Sequence, residues 1–239
     1  MTRPFVCGIP CLNNYAGLER CLQALFAGSS KPEAVYIVDN GRKLFAQANV
    51  QAILSIPLQI HVINPVQNLG LSRSWNMLNK LAWPLTLCLV NDDVVVGRNT
   101  MELLARDDPP VITTALGWSC FRHDHEAWKI IGDYDEHFVA FLEDNDMDRR
   151  RELAGVRRVI AENDTDPIQH SPSTTLRSMQ PHQQALFQRH HRLQTEYYAL
   201  KHGGQPGKER FTVPFNGEKP VIPAGLLESA KELTKIIMP

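Results

Sequence analysis

Four short apolar runs, at 5–10 (FVCGIP), 34–38 (AVYIV), 59–63 (QIHVI) and 85–90 (LTLCLV), constrain this chain more than any other feature. Between them lie segments with helical spacing. Leu18, Cys21, Leu22, Leu25 and Phe26 follow an Asn13, Asn14 cap and stop at Gly28; Leu71, Trp75, Leu78 and Leu81 mark 70–82; a weaker helix is expected over about 43–54. Strand–helix alternation with short polar turns predicts an α/β fold, a mostly parallel, twisted, Rossmann-like sheet flanked by helices. The unbroken run 85–90 suits a strand covered on both faces. Ligands of such sheets bind at the carboxyl ends of the strands, which directs attention to 10–13, Asp39-Asn40-Gly41 and Asn91-Asp92-Asp93.

Beyond residue 100 the pattern loosens. Residues 111–131 mix short strand-like pieces with histidines and charge; 142–154 reads as a helix with acids first and arginines later; 156–160 reads as a strand, and 163–175 as irregular. A long polar helix is expected over 181–201 and a Gly/Pro-rich loop over 203–224. A last helix would place Leu226, Leu227, Ala230, Leu233, Ile236 and Ile237 on one face. This divides the chain into 1–100, 101–175 and a helical extension, 176–239.

With 239 residues, 43% of them hydrophobic and 21% charged, the chain can bury a full core without a metal or disulfides. A net charge of −1 lacks the basic excess that nucleic-acid binding needs. No apolar run reaches the roughly 18–20 residues that span a bilayer, and the first residues do not read as a signal peptide. Five cysteines, an odd number in apolar segments, point away from a disulfide framework and toward the cytosol. The final helix is expected to pack on the domain or on a twin subunit; peripheral contact with the inner membrane face is the alternative, with few lysines to anchor it.

Taken one at a time, the polar residues at the turns have ordinary explanations. Asp92 and Asp93 end a strand, where adjacent carboxylates suit a hard cation or a simple Asx turn. Asp39 is placed to accept from a ribose hydroxyl or base N–H, or to build its own turn. Asn68 and Gly70 open a helix whose N–H groups favour anions, though Asn68 equally caps it. Arg73 faces a diphosphate or solvent. Glu143, Asp144 and Asp146 complement a helix dipole, and Asp146 can pair with Arg150; four acids within 143–148 exceed what a cap needs. The run Arg149-Arg150-Arg151 reads as a solvated face. His170 stands apart from the helical pair His190 and His191 and could complete a mixed oxygen–nitrogen metal shell.

In combination these pieces resemble the family-two glycosyltransferases of the GT-A fold. VCGIPCLNNYAGLERCLQAL is similar to the family's opening strand, turn and helix, AVYIVDNG to its second strand, NLGLSRSWN to its Asn-Gly-Asn helix opening and LCLVNDDVVV to its metal-bearing strand. IGDYDEHFVAFLEDNDMDRRRELAG resembles the acceptor-side block, and QHSPSTT the late His segment. The resemblance spans about 5–175. It implies transfer of a sugar, with inversion, from a UDP- or dTDP-type donor to a hydroxyl of a glycan or lipid-linked acceptor. Pro10, Leu12 and Asp39 would contact the nucleoside; Asn68, Gly70, Arg73, Asn91, Asp92 and Trp118 would contribute to the nucleotide-sugar site. Asp93 and His170 would hold Mn²⁺ or Mg²⁺, Asp144 would be the base, and Glu143 would shape the acceptor pocket. Asn91 stands where the family's metal motif begins with Asp, leaving open which of Asp92 and Asp93 holds the metal. A degenerate nucleotide-binding domain is one alternative. A nucleotidyltransferase is another, although the turn PCLNN lacks the Gly-rich, cationic phosphate loop expected of it.

Overall fold

In the computed structural model, which describes residues 3–106, 111–161, 167–171 and 179–235, one seven-stranded sheet organises the chain. Its strands are β1 (Phe5–Cys11), β2 (Val35–Asp39), β3 (Ile60–Ile63), β4 (Thr86–Val90), β6 (Val111–Leu116), β7 (Cys120–His123) and β8 (Arg157–Ile160), in spatial order β3-β2-β1-β4-β7-β6-β8. β1 through β4 are mutually parallel, β7 is antiparallel to both neighbours, and β8 runs parallel to β6. β5 (Val94–Val95) pairs separately with β9 (Gln169–His170), so Val94 lies opposite His170. The irregular stretch expected over 163–175 lies outside the described residues except for 167–171, as do Ile236 and Ile237.

Alternate side chains of β1 enter different layers. Phe5, Cys7, Ile9 and Cys11 pack with Leu18, Cys21, Leu22 and Leu25 of α1 (Tyr15–Ala27); Val6 joins Trp75 and Leu78 of α3 (Gly70–Ala82) on the other face. Each Leu or Ile buried this way contributes roughly 1.5–3 kcal/mol, so the two layers fix the sheet without help from polar groups. All five cysteines are buried free thiols. The helix expected at 43–54 is broken into a 3₁₀ turn (Leu44–Ala46) and α2 (Val50–Leu54), and the short α4 (Thr100–Leu104) and α5 (His125–Ile131) flank the later strands.

Because the chain steps from β1 outward to β2 and β3 and then returns to place β4 on the other side of β1, the topological switch falls between β1 and β4. A crevice opens there at the strand ends. Three further helices close its other side: α6 (Glu143–Leu153), α7 (Pro181–His202) and α8 (Leu226–Lys235).

The long polar helix expected over 181–201 is α7, and it buries His190, Gln194, Tyr197, Tyr198, Lys201 and His202. One sequence expectation is corrected: the arginine run is not a solvated face, its side chains being 19%, 15% and 12% exposed for Arg149, Arg150 and Arg151. Arg149 donates to the Phe211 carbonyl. Arg150 pairs with Asp146 and donates to the carbonyls of Ile131 and Asp133, and Arg151 pairs with Asp148. Carbonyls from other segments, unseen in a local pattern, draw Arg149 and Arg150 in, while Asp146 and Asp148 pair within α6. α8 packs inward through Leu226 and Leu233, and no helix of the described residues is long and apolar enough to cross a membrane.

Candidate active site

The crevice is a cavity of about 470 Å³. Pro10 and Leu12 reach it from the end of β1, Asn91, Asp92 and Asp93 from the end of β4, and Asn68 and Gly70 from the entry to α3. Val139 to Asn145 supply the opposite wall, which includes Glu143 and Asp144. Phe187 and His191 of α7 and Leu233 of α8 complete it. The two carboxylate pairs, about fifty residues apart in sequence, therefore share one cavity.

Asp92 is held from three sides. The Leu12 N–H donates to its Oδ2 at 3.3 Å, and Asn14 Nδ2 donates to its carbonyl at 3.1 Å and to its Oδ1 at 3.4 Å. Gly17 is required here, since a Cβ would come within 2.4 Å of the Asp92 carbonyl oxygen. Burial pushes the Asp92 carboxyl up to about 7, against hydrogen bonds from Cys11, Asn14 and Leu12 that pull it down. Asp93 is more open. Its Oδ1 is 3.3 Å from Nε2 of His170, close enough to pair yet too poorly aligned for a hydrogen bond. Burial raises its carboxyl too, with the imidazole working in the opposite sense.

On the facing wall, Phe141 (φ 95°) and Leu142 (φ 63°) both take the left-handed conformation that non-glycine residues avoid. This turn delivers Glu143 and Asp144 to the cavity at the start of α6. Strain of this kind, costing of order 1–3 kcal/mol per residue, clusters where geometry matters to function. Burial, then the neighbouring Asp144, drives the Glu143 carboxyl up to about 8, and its buried Oε2 has no hydrogen-bond partner among the described residues. Asp144 is raised by burial while its Oδ1 accepts from the Asn145 N–H at 2.8 Å.

Other expected residues are placed differently. Asp39 is wholly buried away from the cavity lining, its oxygens accepting from Tyr15 Oη and the N–H groups of Arg42 and Leu44. Arg73 pairs with Glu136 at 3.1 Å, both near half exposed, and Trp118 packs edge-on against Phe121; neither lines the cavity. The α3 opening differs from the anion site its sequence suggested. The Leu69 N–H is taken by Asn40 Oδ1, that of Gly70 by Asn68 Oδ1, and that of Leu71 by the Val139 carbonyl. Gly70, at φ 71°, lies so close to Val139 that a Cβ would meet its carbonyl oxygen at 2.4 Å.

Sequence reasoning missed Asn40, the strained 139–142 turn and the α7 pair Phe187 and His191. Asn40 sat inside a recognised turn and was legible; a left-handed Phe-Leu pair leaves no trace in residue type.

The cavity also bears on a metal. Four carboxyl groups line it, and no Lys or Arg does among the described residues. A diphosphate entering such a site needs positive charge that the lining does not supply. The under-used oxygen of Asp93 beside the His170 imidazole is a donor set that a hard divalent cation accepts, with phosphate oxygens and water filling the rest of its shell. Among the described residues no group of three or more His, Cys, Asp or Glu side chains is clustered for a metal. The residues present therefore fit a partly protein-bound cation.

The switch-point crevice and mixed sheet are those of the GT-A fold. Residues 7–107 match the model of glycosyl transferase family 2. Three solved structures share the fold. A mannosyltransferase from Pyrobaculum calidifontis in complex with GDP-Man and Mn²⁺ aligns over 98% of this chain and 74% of its own, with a TM-score of 0.61 and 13% identity. GalNAc-T7 with UDP, GalNAc and Mn²⁺ aligns over 71% of this chain and 44% of its own (0.58, 10%). S. aureus TarS 1-349 with UDP-GlcNAc aligns over 67% and 56% (0.53, 13%). The chain thus spans about half the length of the last two. No curated protein sequence matches it.

Proposed function

We propose that this cavity binds a nucleoside-diphosphate sugar with Mn²⁺ or Mg²⁺ and transfers the sugar, with inversion, to a hydroxyl of a glycan or lipid-linked acceptor. The observation that carries the reading is the convergence of Asp92 and Asp93 with Glu143 and Asp144 on one cavity that, among the described residues, has no Lys or Arg in its lining. The solved relatives bound to GDP-Man, UDP or UDP-GlcNAc, two of them with Mn²⁺, support the donor class.

Asp93 and His170 would hold the cation, which when bound supplies positive charge at the leaving diphosphate. The remaining steps belong to the chain. Pro10 and Leu12 flank the nucleoside at the end of β1. Asn91 and Asp92 face the ribose and sugar, with Asp92 fixed by Leu12 and Asn14 so that it orients ligand hydroxyls without moving. Asp144 takes the proton from the acceptor hydroxyl as that oxygen bonds to the anomeric carbon. The bond from that carbon to the β-phosphate oxygen breaks, and the electron pair leaves with the diphosphate. Burial gives Asp144 a higher proton affinity than an exposed aspartate, which suits a base. Glu143, protonated at neutral pH, offers a hydroxyl to donate as well as an oxygen to accept.

Titration calorimetry with UDP and Mn²⁺, together with a transfer assay, tests this reading. Asp144→Asn should keep nucleotide binding and lose about 10²–10⁴-fold in turnover. Asp93→Ala should weaken nucleotide binding only when the metal is present. Normal turnover by Asp144→Asn removes the base assignment, and metal-independent nucleotide binding by the unaltered protein removes the cation site.

A further inference from the structure

A second depression, of about 820 Å³, runs along α7 beside the donor cavity, and Phe141, Phe187 and His191 line both. Gln184, Phe187, Gln188, His191 and Arg192 recur at intervals of three and one, so a single face of α7 floors this groove. The opposite face of the helix carries the buried Gln183, His190, Gln194, Tyr197 and Lys201. At the junction the Phe141 ring stands edge-on to Phe187 (5.8 Å, 89°) and to His191 (4.8 Å, 80°), a rigid aromatic gate.

We infer that this groove is the acceptor subsite and that the acceptor is a saccharide carrying a phosphate or carboxylate group; the inference rests on the donor-cavity reading above. Aromatic rings at the gate suit the C–H face of a pyranose, and the primary amides of Gln184 and Gln188 can each donate and accept with its hydroxyls. Charge supplies the rest. Among the described residues, the donor cavity is lined by four carboxyls without Lys or Arg, whereas the groove is lined by Arg189 and Arg192 and by no carboxylate. An anionic acceptor is repelled at one end and attracted at the other, so its hydroxyl points toward Asp144 while its anion remains at α7. Of the two arginines, Arg189 has Glu232 at 3.7 Å. Arg192 is exposed and has no ion-pair partner among the described residues, so its guanidinium is available for bidentate contact.

Titration of the full chain in the presence of UDP and Mn²⁺ tests this with glucose, galactose and mannose, their 6-phosphates, their uronic acids and inorganic phosphate. At least one anionic hexose should bind about tenfold or more tightly than both its neutral parent and inorganic phosphate. Arg192→Gln should erase that margin and Arg192→Lys retain part of it. The tighter arm, phosphate or carboxylate, names the acceptor's anion. Equal binding of neutral and anionic hexoses, equal binding of inorganic phosphate, or a margin that survives Arg192→Gln overturns the inference. If the unaltered protein fails to bind UDP with Mn²⁺, the donor-cavity reading fails instead; nucleotide binding without an anionic preference defeats the acceptor inference alone.

Discussion

Glu143 and Asp146 lie one turn apart on α6, both buried, and their environments push them in opposite directions. Glu143 faces the cavity with an unpartnered oxygen, and burial lifts its carboxyl. Asp146 faces Lys201 Nζ (2.6 Å) and His202 Nε2 (2.9 Å) of α7, and with Arg150 Nε of its own helix (2.9 Å) they hold it ionised, below its usual range despite the burial. Asp135 belongs to the same network. It pairs with Lys201 at 2.7 Å, accepts from Tyr197 Oη and His137, and is likewise lowered. The difference separates two kinds of buried acid. Glu143 and Asp93, facing the cavity, each keep an oxygen without a hydrogen-bond partner among the described residues, whereas the acids behind it are saturated and tie the acid-bearing helix to α7. The donor side is held instead by the apolar layers around β1 and by hydrogen bonds from Tyr15, Asn14 and nearby backbone N–H groups to Asp39 and Asp92.

The comparison breaks most readily at Lys201, which bridges Asp135 and Asp146 and lies 5.5 Å from the centre of the Phe138 ring. Lys201→Met leaves two buried carboxylates short of a partner, and removing one member of a buried pair costs about 3–5 kcal/mol. Urea unfolding should show that loss near neutral pH. It should narrow as pH falls below about 4, because the folded-state carboxyls of Asp135 and Asp146 are depressed and their stabilisation, present above the unfolded value, is lost with acid. A loss below 1 kcal/mol would mean that the network is not what fastens α6.

A smaller effect is expected on the donor side. Gly70→Ala puts a side chain at φ 71° and against the Val139 carbonyl, which should cost about 2 kcal/mol and weaken UDP binding, since the α3 entry and the 139–142 turn would have to part. Unchanged stability together with unchanged nucleotide affinity would show that the close approach of these segments is incidental.

What the sequence disclosed follows the same division. The donor side was legible because its determinants are local: apolar runs mark β1, β2 and β4, and Asn or Asp turns mark their ends. The pairing of Asp146 with Arg150, four residues on, was legible for the same reason. Asp39 shows the limit, since residue type and turn position do not reveal that Tyr15, Arg42 and Leu44 consume its oxygens. Both C-terminal helices were legible, but not which face of α7 is buried, because that face is polar. Gln183, His190, Gln194, Tyr197 and Lys201 recur at core spacing (7, 4, 3 and 4), but a template built on apolar residues does not register them. Asp135, which Tyr197 and Lys201 reach, and Asp146, which Lys201 and His202 reach, lie more than fifty residues away.

The smallest effect provides the sharpest test of opposed acids, through pH. The folded-state value of Glu143, about 8, stands above its ordinary 4.5, so between those values the folded protein binds a proton that the unfolded chain has released. Its contribution is complete below about pH 4.5 and is lost as pH rises toward 8, the reverse of Asp135 and Asp146. Glu143→Gln removes the titration and keeps the shape. The variant's stability relative to the unaltered protein, both without ligand, should therefore increase between pH 5 and pH 8. Because the carboxyl borders an open cavity, water reduces the burial penalty, and the increase should be about 1–2 kcal/mol rather than the full value of the shift. A constant difference across that range would place Glu143 in ordinary solvent and remove the contrast with Asp146. An increase confined to the ligand-free protein, and abolished by UDP with Mn²⁺, would show that the spare oxygen of Glu143 is satisfied when the cavity fills.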